Sequence, residues 1–217
     1  VSKNLPTIGE TFSKAGYETV HFGKRHDAGS LRGFHLDPIG ELPVESEPAW
    51  PVNADTTKDR YTTSRVVDFL KQEHDKPFLA VADLNNPHNI CGWVGANIGP
   101  HEDTPISRDL PDLPDNFYDV NFKDKPLPLQ YICCTHRRLS QTVGWNETNF
   151  RYYLAAYYHY LQRVDAEIGL ILNALEERND VDNTLIVFTS DHGDAMPSHR
   201  MVTQMITLGE EVTRVPL

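Results

Sequence analysis

A helical pattern of apolar residues is followed by a short apolar run three times along this chain of 217 residues. The first pattern has Pro6 at its entry and Gly16 at its end, which are the residues typical of a helix start and stop, and it leads into "ETVHF". The second, "TTSRVVDFLKQ", precedes "FLAVADL". Helices that alternate with continuous apolar strands are typical of a mostly parallel sheet with helices on both faces. The order therefore predicts an α/β fold.

The third helical pattern is the longest. Apolar residues between Phe150 and Arg178 recur at alternating steps of three and four, which predicts one helix with a single buried face. These apolar positions are Leu154, Tyr157, Leu161, Val164, Ile168, Ile171 and Leu175. The run "NTLIVF" follows, and its β-branched and aromatic residues predict a third buried strand.

The charge balance argues against two classes of partner. The chain carries 31 acidic and 20 basic residues, a formal net charge of −11. Basic residues this few and scattered do not make the positive surface that nucleic-acid binding requires. No segment reaches the roughly 20 apolar residues of a membrane-spanning helix. We predict no nucleic-acid partner and no membrane segment in this chain.

Residues 89 to 146 contain little periodic structure and many prolines, as in "DLPDLPDNF" and "KDKPLPLQY". A stretch of this length without regular elements is typical of a lid or binding loop. We therefore predict an irregular insertion at about residues 89–146, near the functional site.

Polar residues follow each of the three apolar runs. Lys24 and His26 follow the first, His88 the second, and Asp191 and His192 the third. Because open α/β sheets bind ligands beyond the carboxyl ends of their strands, these residues are the candidates for a functional site.

Each candidate also has an ordinary alternative. Asp191 follows an apolar run, where an ionised carboxylate is costly unless a cation or several donors meet it. A hard divalent ion is one answer, and capping of the next turn through its backbone amides is another. Lys24 on its own fits a solvated surface position, and His26, His88 and His192 fit structural imidazoles. The nearby Asp194 and His199 are weaker candidates, which we expect to be loop residues that support the site.

Several ordered segments resemble the sulfatase branch of the alkaline phosphatase superfamily. They are "LPTIGETFSKAGYETVHFGKRH", "KPFLAVADLNNPH", "YYHYLQRVDAEIGLILNALEERNDVDNTLIVFTSDHGD" and the tail "HRMVTQMITLGEEVTRVPL". The resemblance covers most of the chain except the middle insertion. It implies an alkaline-phosphatase-like α/β fold that is incomplete, because residues 1–217 would be an internal part of the catalytic domain.

The resemblance also implies roles for the candidates. Asp191 and His192 would lie at a divalent metal, usually calcium in sulfatases, and Lys24, His26 and His88 would contact the sulfate or the leaving oxygen. A sulfuryl group in transfer spreads negative charge over its oxygens, which fixed cations and donors stabilise. An imidazole near the ester oxygen can protonate the leaving group.

The chain departs from the family pattern at three places. The family nucleophile is a formylglycine made in a Cys/Ser-x-Pro-x-Arg motif, which this sequence lacks, so we expect it upstream. The paired aspartates that complete the metal site are also expected upstream, and Ca²⁺ takes about six to eight oxygen ligands, more than Asp191 and His192 supply. Gln204 stands near the place of a family lysine, and it donates hydrogen bonds without charge.

These observations predict a sulfuric ester hydrolase that cleaves a sulfated glycan or a small sulfate ester with the help of a metal. We expect the isolated chain to be inactive. A phosphoryl-transfer hydrolase of the same superfamily remains open, since Mn²⁺ or Zn²⁺ would suit the nitrogen ligand His192. A noncatalytic remnant that binds anionic glycans also remains open, because the nucleophile is missing. The resemblance implies a secreted, periplasmic or lysosomal location.

Overall fold

The computed structural model describes residues 2–26, 29–43, 57–97, 109–134, 141–204 and 208–217. Its α-helices are α1 (Ile8–Lys14), α2 (Thr57–Leu70), α3 (Ile90–Ala96), α4 (Leu127–Cys134), α5 (Glu147–Glu176) and α6 (Glu210–Thr213). Its strands are β1 (Glu18–Gly23), β2 (His35–Leu36) and β3 (Phe78–Asp83). Short 3-10 turns lie at Val181–Asn183 and Ser198–Arg200.

The chain divides into two compact units. The first comprises Val1–Pro48, Asp55–Pro87 and Leu161–Thr184, and the second comprises Ala49–Ala54, His88–Tyr160 and Leu185–Leu217. Residues 147–160 of α5 therefore belong to the second unit and residues 161–176 to the first.

The first unit contains a parallel sheet. β1 lies between β2 and β3 and is parallel to both, and it pairs with β3 from Glu18 opposite Phe78 to Gly23 opposite Asp83. Both strands lie where the apolar runs "ETVHF" and "FLAVADL" predict them. The predicted α/β class and its parallel sheet are confirmed.

Alternate residues of β1 face different helices. Val20 and Phe22 are buried in a core with residues of α2 and of the end of α5, namely Val66, Phe69, Leu70, Ala174 and Leu175. His21 lies edge-on to Phe34, with ring centroids 6.2 Å apart. The Phe34 ring in turn packs directly on Gly9 of α1, where a Cβ would come within 2.5 Å of it. Because side chains alternate along a strand, Val20 and Phe22 face one side of the sheet and His21 faces the other. Helices α2 and α5 cover the first side, and α1 covers the second.

The ends of α1 follow from its sequence. Thr7 accepts a hydrogen bond from the Glu10 amide, and the Glu10 carboxylate accepts one from the Thr7 amide, so the two form a capping box. Past the C-terminus, Gly16 adopts a φ of +90°, a conformation that glycine takes without a steric penalty. The helix start and stop predicted from Pro6 and Gly16 therefore agree with the observed helix Ile8–Lys14.

An aromatic core holds the second unit together. Tyr153 and Tyr160 of α5 are fully buried against Trp93 of α3 and against Phe117 and Val202. Residues 89–146, predicted to be an irregular insertion, contain α3 and α4, with turns and loops over much of the rest of the described part.

The third predicted strand is wrong. The side chains of Leu185, Ile186, Val187 and Phe188 are 88%, 55%, 65% and 57% exposed, and none of these residues is in a strand. A strand needs a neighbour to satisfy its N–H and C=O groups, and in the described part of the chain no strand pairs with this run.

The single buried face predicted for α5 is also interrupted. Leu161 is 37% exposed, because the buried positions of the helix belong to two separate cores. One core surrounds Tyr153 and Tyr160, the other surrounds Ala174 and Leu175, and Leu161 lies between them in the sequence. Among the helices described, none is long and apolar enough to cross a membrane.

Candidate functional site

The five predicted site residues are divided between the two units. Lys24 and His26 belong to the first unit, whereas His88, Asp191 and His192 belong to the second.

Lys24 is fixed at the end of β1. Gly23 has a φ of +91°, and a Cβ there would lie 2.2 Å from the Asp83 carbonyl oxygen, so only glycine permits this close approach. The Lys24 amide donates to the same carbonyl at 2.8 Å, which extends the pairing of β1 and β3 by one hydrogen bond. Lys24 is half-buried and His26 is exposed. Both residues therefore lie beyond the carboxyl end of a strand, as predicted.

A buried carboxylate on α2 fixes the chain after β3. Asp59 is 1% exposed and accepts hydrogen bonds from the Asn85 amide at 2.6 Å, the Asn86 amide at 3.0 Å and Asn86 Nδ2 at 2.7 Å. Asn86, which Asp59 contacts through two of these hydrogen bonds, lies two residues before His88 in the sequence. Sequence reasoning missed Asp59, because an acidic residue in the first turn of a helix is an ordinary feature.

Gln204 contacts His88 in the second unit. Gln204 Nε2 lies 3.2 Å from His88 Nε2, and the Cys91 thiol donates to Gln204 Oε1 at 2.9 Å. The Cys91 amide also donates to the His88 carbonyl at 3.0 Å. The residue that stands near the place of a family lysine is thus in direct contact with a predicted catalytic histidine. The link to Cys91 was missed, because 113 residues separate the two positions.

Asp191 and His192 contact each other. The His192 amide donates to Asp191 Oδ1 at 3.0 Å, and His192 Nε2 lies 3.7 Å from Asp191 Oδ2. His192 Nδ1 bonds the Gly193 carbonyl at 2.9 Å, which leaves Nε2 as the ring nitrogen suited to a metal. The Asp191 side chain is 75% exposed.

The described residues do not complete a metal site. No group of three or more His, Cys, Asp or Glu side chains able to hold an ion occurs among them. Asp191 and His192 supply one carboxylate and one imidazole, whereas Ca²⁺ takes about six to eight oxygen ligands. The pair therefore fits a metal only as part of a larger ligand set.

Asp194 anchors the loop that follows this pair. Its buried carboxylate accepts hydrogen bonds from the Tyr153 hydroxyl, 2.7 Å from both oxygens, and from the Met196 amide at 2.8 Å. The Tyr153 hydroxyl in turn accepts from the Thr203 amide at 2.8 Å. Burial raises the pKa of Asp194 to about 6, although these hydrogen bonds and His192 oppose the rise. Burial likewise raises the pKa of Tyr153 well above its usual value.

A pocket of about 200 Å³ lies elsewhere in the second unit. Phe122, Leu129 and Met201 contribute apolar surface to it, and Lys125 and Glu211 contribute charge. None of the five predicted site residues lines this pocket.

A parallel sheet with polar residues beyond its strand ends is typical of α/β folds that bind ligands at that edge. The likeness to solved sulfatase structures makes this fold alkaline-phosphatase-like. The Sulfatase family model matches residues 1–217. The chain belongs to the sulfatase family.

Individual relatives are similar to nearly the whole chain. A Δ4,5-hexuronate-2-O-sulfatase of Bacteroides thetaiotaomicron is 48% identical over 215 residues, which are 99% of this chain and 44% of the relative. The solved structure of a 2-O GAG sulfatase is 47% identical with a TM-score of 0.90, over 99% of this chain and 46% of that one. The chain thus spans less than half the length of these relatives.

A third likeness is more distant. The phosphonate monoester hydrolase of Agrobacterium radiobacter is 19% identical with a TM-score of 0.62, over all of this chain and 52% of that one. At this identity the likeness establishes a shared fold alone.

Proposed function

We propose that the protein containing this chain hydrolyses the 2-O-sulfate ester of a hexuronate in a sulfated glycan. The observation that carries this proposal is the 48% identity, over 99% of the chain, with a Δ4,5-hexuronate-2-O-sulfatase. The similarity to a 2-O GAG sulfatase at a TM-score of 0.90 supports the same substrate class.

Three residues of the chain act on the sulfate in this proposal. The Lys24 ammonium and the His26 imidazole stabilise the negative charge that develops on the sulfate oxygens during transfer. His88 lies at the leaving oxygen, where an imidazole N–H donates a proton to the departing oxygen so that it leaves as the alcohol. The position of Lys24 beyond the paired ends of β1 and β3 supports this assignment, since ligands of parallel sheets bind at that edge.

Asp191 and His192 contribute to a divalent metal site in the complete protein. The sulfatase family generally uses a divalent metal. Ca²⁺ suits the carboxylate of Asp191, while Mn²⁺ or Zn²⁺ would suit the imidazole of His192 better. The other ligands and the formylglycine nucleophile come from residues outside this chain, and the location is secreted, periplasmic or lysosomal.

A substrate panel tests the proposed activity. The complete protein is assayed for release of sulfate from a Δ4,5-unsaturated hexuronate 2-O-sulfate disaccharide and a 6-O-sulfated glucosamine, and of phosphate from an aryl phosphate. We expect turnover of the first substrate and of neither of the others. Turnover of the phosphate alone would favour a phosphoryl-transfer hydrolase, and glycan binding without turnover would favour a noncatalytic remnant. The 217-residue chain by itself should release no sulfate.

Substitutions test the assigned roles. Lys24→Ala and His88→Ala should each lower kcat/KM by about 10²- to 10³-fold, the loss typical of removing one group that stabilises transition-state charge. Lys14→Ala removes an exposed lysine in the last turn of α1 and is the matched control, with activity unchanged. Normal turnover by the Lys24 variant would remove that residue from the site.

The metal assignment has its own test. Asp191→Ala should abolish metal-dependent activity and weaken Ca²⁺ binding measured by calorimetry. Asp182→Ala, at an exposed aspartate in a 3-10 turn, should leave Ca²⁺ affinity unchanged. Equal affinity in the Asp191 variant and the unaltered protein would show that Asp191 is not a ligand.

A further inference from the structure

The Gln204 side chain joins His88 to Cys91 within the second unit. Its amide oxygen faces the Cys91 sulfur at 2.9 Å, and its amide nitrogen faces His88 Nε2 at 3.2 Å. A backbone hydrogen bond from the Cys91 amide to the His88 carbonyl, 3.0 Å long, holds the same two residues together at the start of α3. The amide therefore lies between two groups whose spacing is fixed by the backbone.

The chemistry of these groups determines the direction of each hydrogen bond. An amide oxygen only accepts and an amide NH₂ only donates, whereas a thiol is both a weak donor and a weak acceptor. The contact of the Cys91 sulfur with the amide oxygen makes the thiol the donor. The NH₂ group of Gln204 is then directed at His88, and a ring nitrogen that accepts from NH₂ must carry a lone pair.

We propose that Gln204, oriented by Cys91, is a positioning residue that holds His88 as the neutral tautomer with its proton on Nδ1 and its lone pair on Nε2. The catalytic relevance of this arrangement rests on the proposed function, in which His88 acts at the sulfate ester. The tautomer itself is a property of the resting protein.

A proton on Nε2 would break this arrangement. The N–H of the ring would then face the NH₂ of Gln204, so that two donors would oppose each other. Only a flip of the Gln204 side-chain amide, which exchanges its oxygen and nitrogen, would remove this repulsion. Turning the amide moves its oxygen away from the Cys91 thiol and places NH₂ against a sulfur that accepts poorly. Cys91 therefore biases the tautomer of His88 through the orientation of the Gln204 amide. A lysine at position 204 would place a charge beside the ring, whereas glutamine supplies orientation alone.

Nitrogen NMR of the resting protein measures the tautomer directly. Histidine labelled with ¹³C and ¹⁵N is incorporated into the complete protein, and the His88 signals are assigned by their loss in His88→Gln. Correlations from the ring carbons to both nitrogens identify which nitrogen carries the proton in the neutral ring. We expect protonated Nδ1 and unprotonated Nε2 at His88. A neutral His88 with its proton on Nε2 would overturn the proposal.

Variants at positions 91 and 204 test the cause. Cys91→Ala removes the donor that fixes the amide, so the ratio of the Nε2–H to the Nδ1–H tautomer should rise about fivefold, the bias expected from one ordinary hydrogen bond. Cys91→Ser retains a donor and should keep the original tautomer. Gln204→Glu presents only acceptors and should move the proton to Nε2, whereas Gln72→Glu, at an exposed position of the first unit, should change nothing.

The outcomes separate this proposal from the proposed function. Unchanged His88 signals in both Cys91→Ala and Gln204→Glu would overturn the positioning role even if the protein releases sulfate. The expected tautomer and shifts in a protein that releases no sulfate would leave the positioning role intact and remove only the proposed function. Global unfolding of a variant is distinguished by the signals of the other histidines, of which this chain has nine besides His88.

Discussion

Two apolar runs with similar composition have different structures in this protein. Phe78–Asp83 forms β3 and pairs with β1 at six successive positions. Leu185, Ile186, Val187 and Phe188 are exposed and belong to no strand in the described part of the chain. Both runs lead to predicted site residues. The difference shows that β-branched and apolar residues give a segment the capacity to form a strand, whereas a neighbouring strand decides whether one forms.

The loops that follow these two runs are nevertheless both anchored by buried carboxylates. Asp59 holds the residues after β3 through two backbone amides and one side-chain amide. Asp194 holds the loop after Phe188 through the Tyr153 hydroxyl and the Met196 amide. The position of a site loop therefore does not depend on strand pairing alone.

The largest expected contrast lies between Phe22 and Phe188. Phe22 is 2% exposed in the core of the first unit, so Phe22→Ala should lower the free energy of unfolding by about 3–5 kcal/mol. Phe188 is 57% exposed, and Phe188→Ala should cost less than about 1 kcal/mol. Urea denaturation of the two variants measures both values. Equal losses in the two variants would contradict the predicted contrast between a buried and an exposed phenylalanine.

The next largest effect is expected at the anchor after β3. Asp59→Ala leaves three hydrogen-bond donors near α2 without their acceptor, and it should lower the free energy of unfolding by about 3 kcal/mol. Amide hydrogen exchange at Asn85 and Asn86 should accelerate in the same variant. Asp68→Ala, at an exposed position of the same helix, should change stability by less than about 0.5 kcal/mol. Unchanged exchange at both amides would argue against the anchor.

The sequence predicted the parts of this fold that local patterns specify. Pro6 and Gly16 marked the ends of α1, and continuous apolar runs marked β1 and β3. The third strand was predicted wrongly, because strand pairing depends on residues distant in the sequence. Leu161 was predicted to be buried because periodicity does not reveal that α5 contributes to two separate cores.

The candidate site likewise has residues that a local sequence signal predicts and residues that it does not. Lys24 lies beyond a strand end as its position in the sequence predicted, since the end of an apolar run is a local signal. The contact of Gln204 with His88 spans 116 residues, and no local signal predicts it. Asp59 was missed for the same reason, because its partners Asn85 and Asn86 lie on another element.

A smaller effect is expected at the anchor of the loop after Phe188. Tyr153→Phe removes the hydroxyl that donates to Asp194 and accepts from the Thr203 amide, so both buried groups lose a partner. The free energy of unfolding should fall by about 1–2 kcal/mol. Tyr158→Phe, five residues further along α5 and exposed, should change it by less than about 0.5 kcal/mol. Equal denaturation midpoints for the two variants would show that the loop is held by other contacts.

The smallest effect concerns the loop that leads away from β1, which Glu10 ties to α1. The Thr7 amide and the Arg32 guanidinium donate to the Glu10 carboxylate and lower its pKa below the usual 4.5. Because the pKa is lowered on folding, the stabilisation is present above about pH 4.5 and is lost as the pH falls through the lowered value. Arg32→Gln should raise the Glu10 pKa in an NMR titration without restoring it fully, since the Thr7 amide remains. Lys71→Gln, at an exposed position after α2, should leave it unchanged. A Glu10 pKa that does not respond to Arg32→Gln would mean that the capping box alone holds the carboxylate, and that the loop after β1 is less firmly tied to α1 than the loop after β3 is to α2.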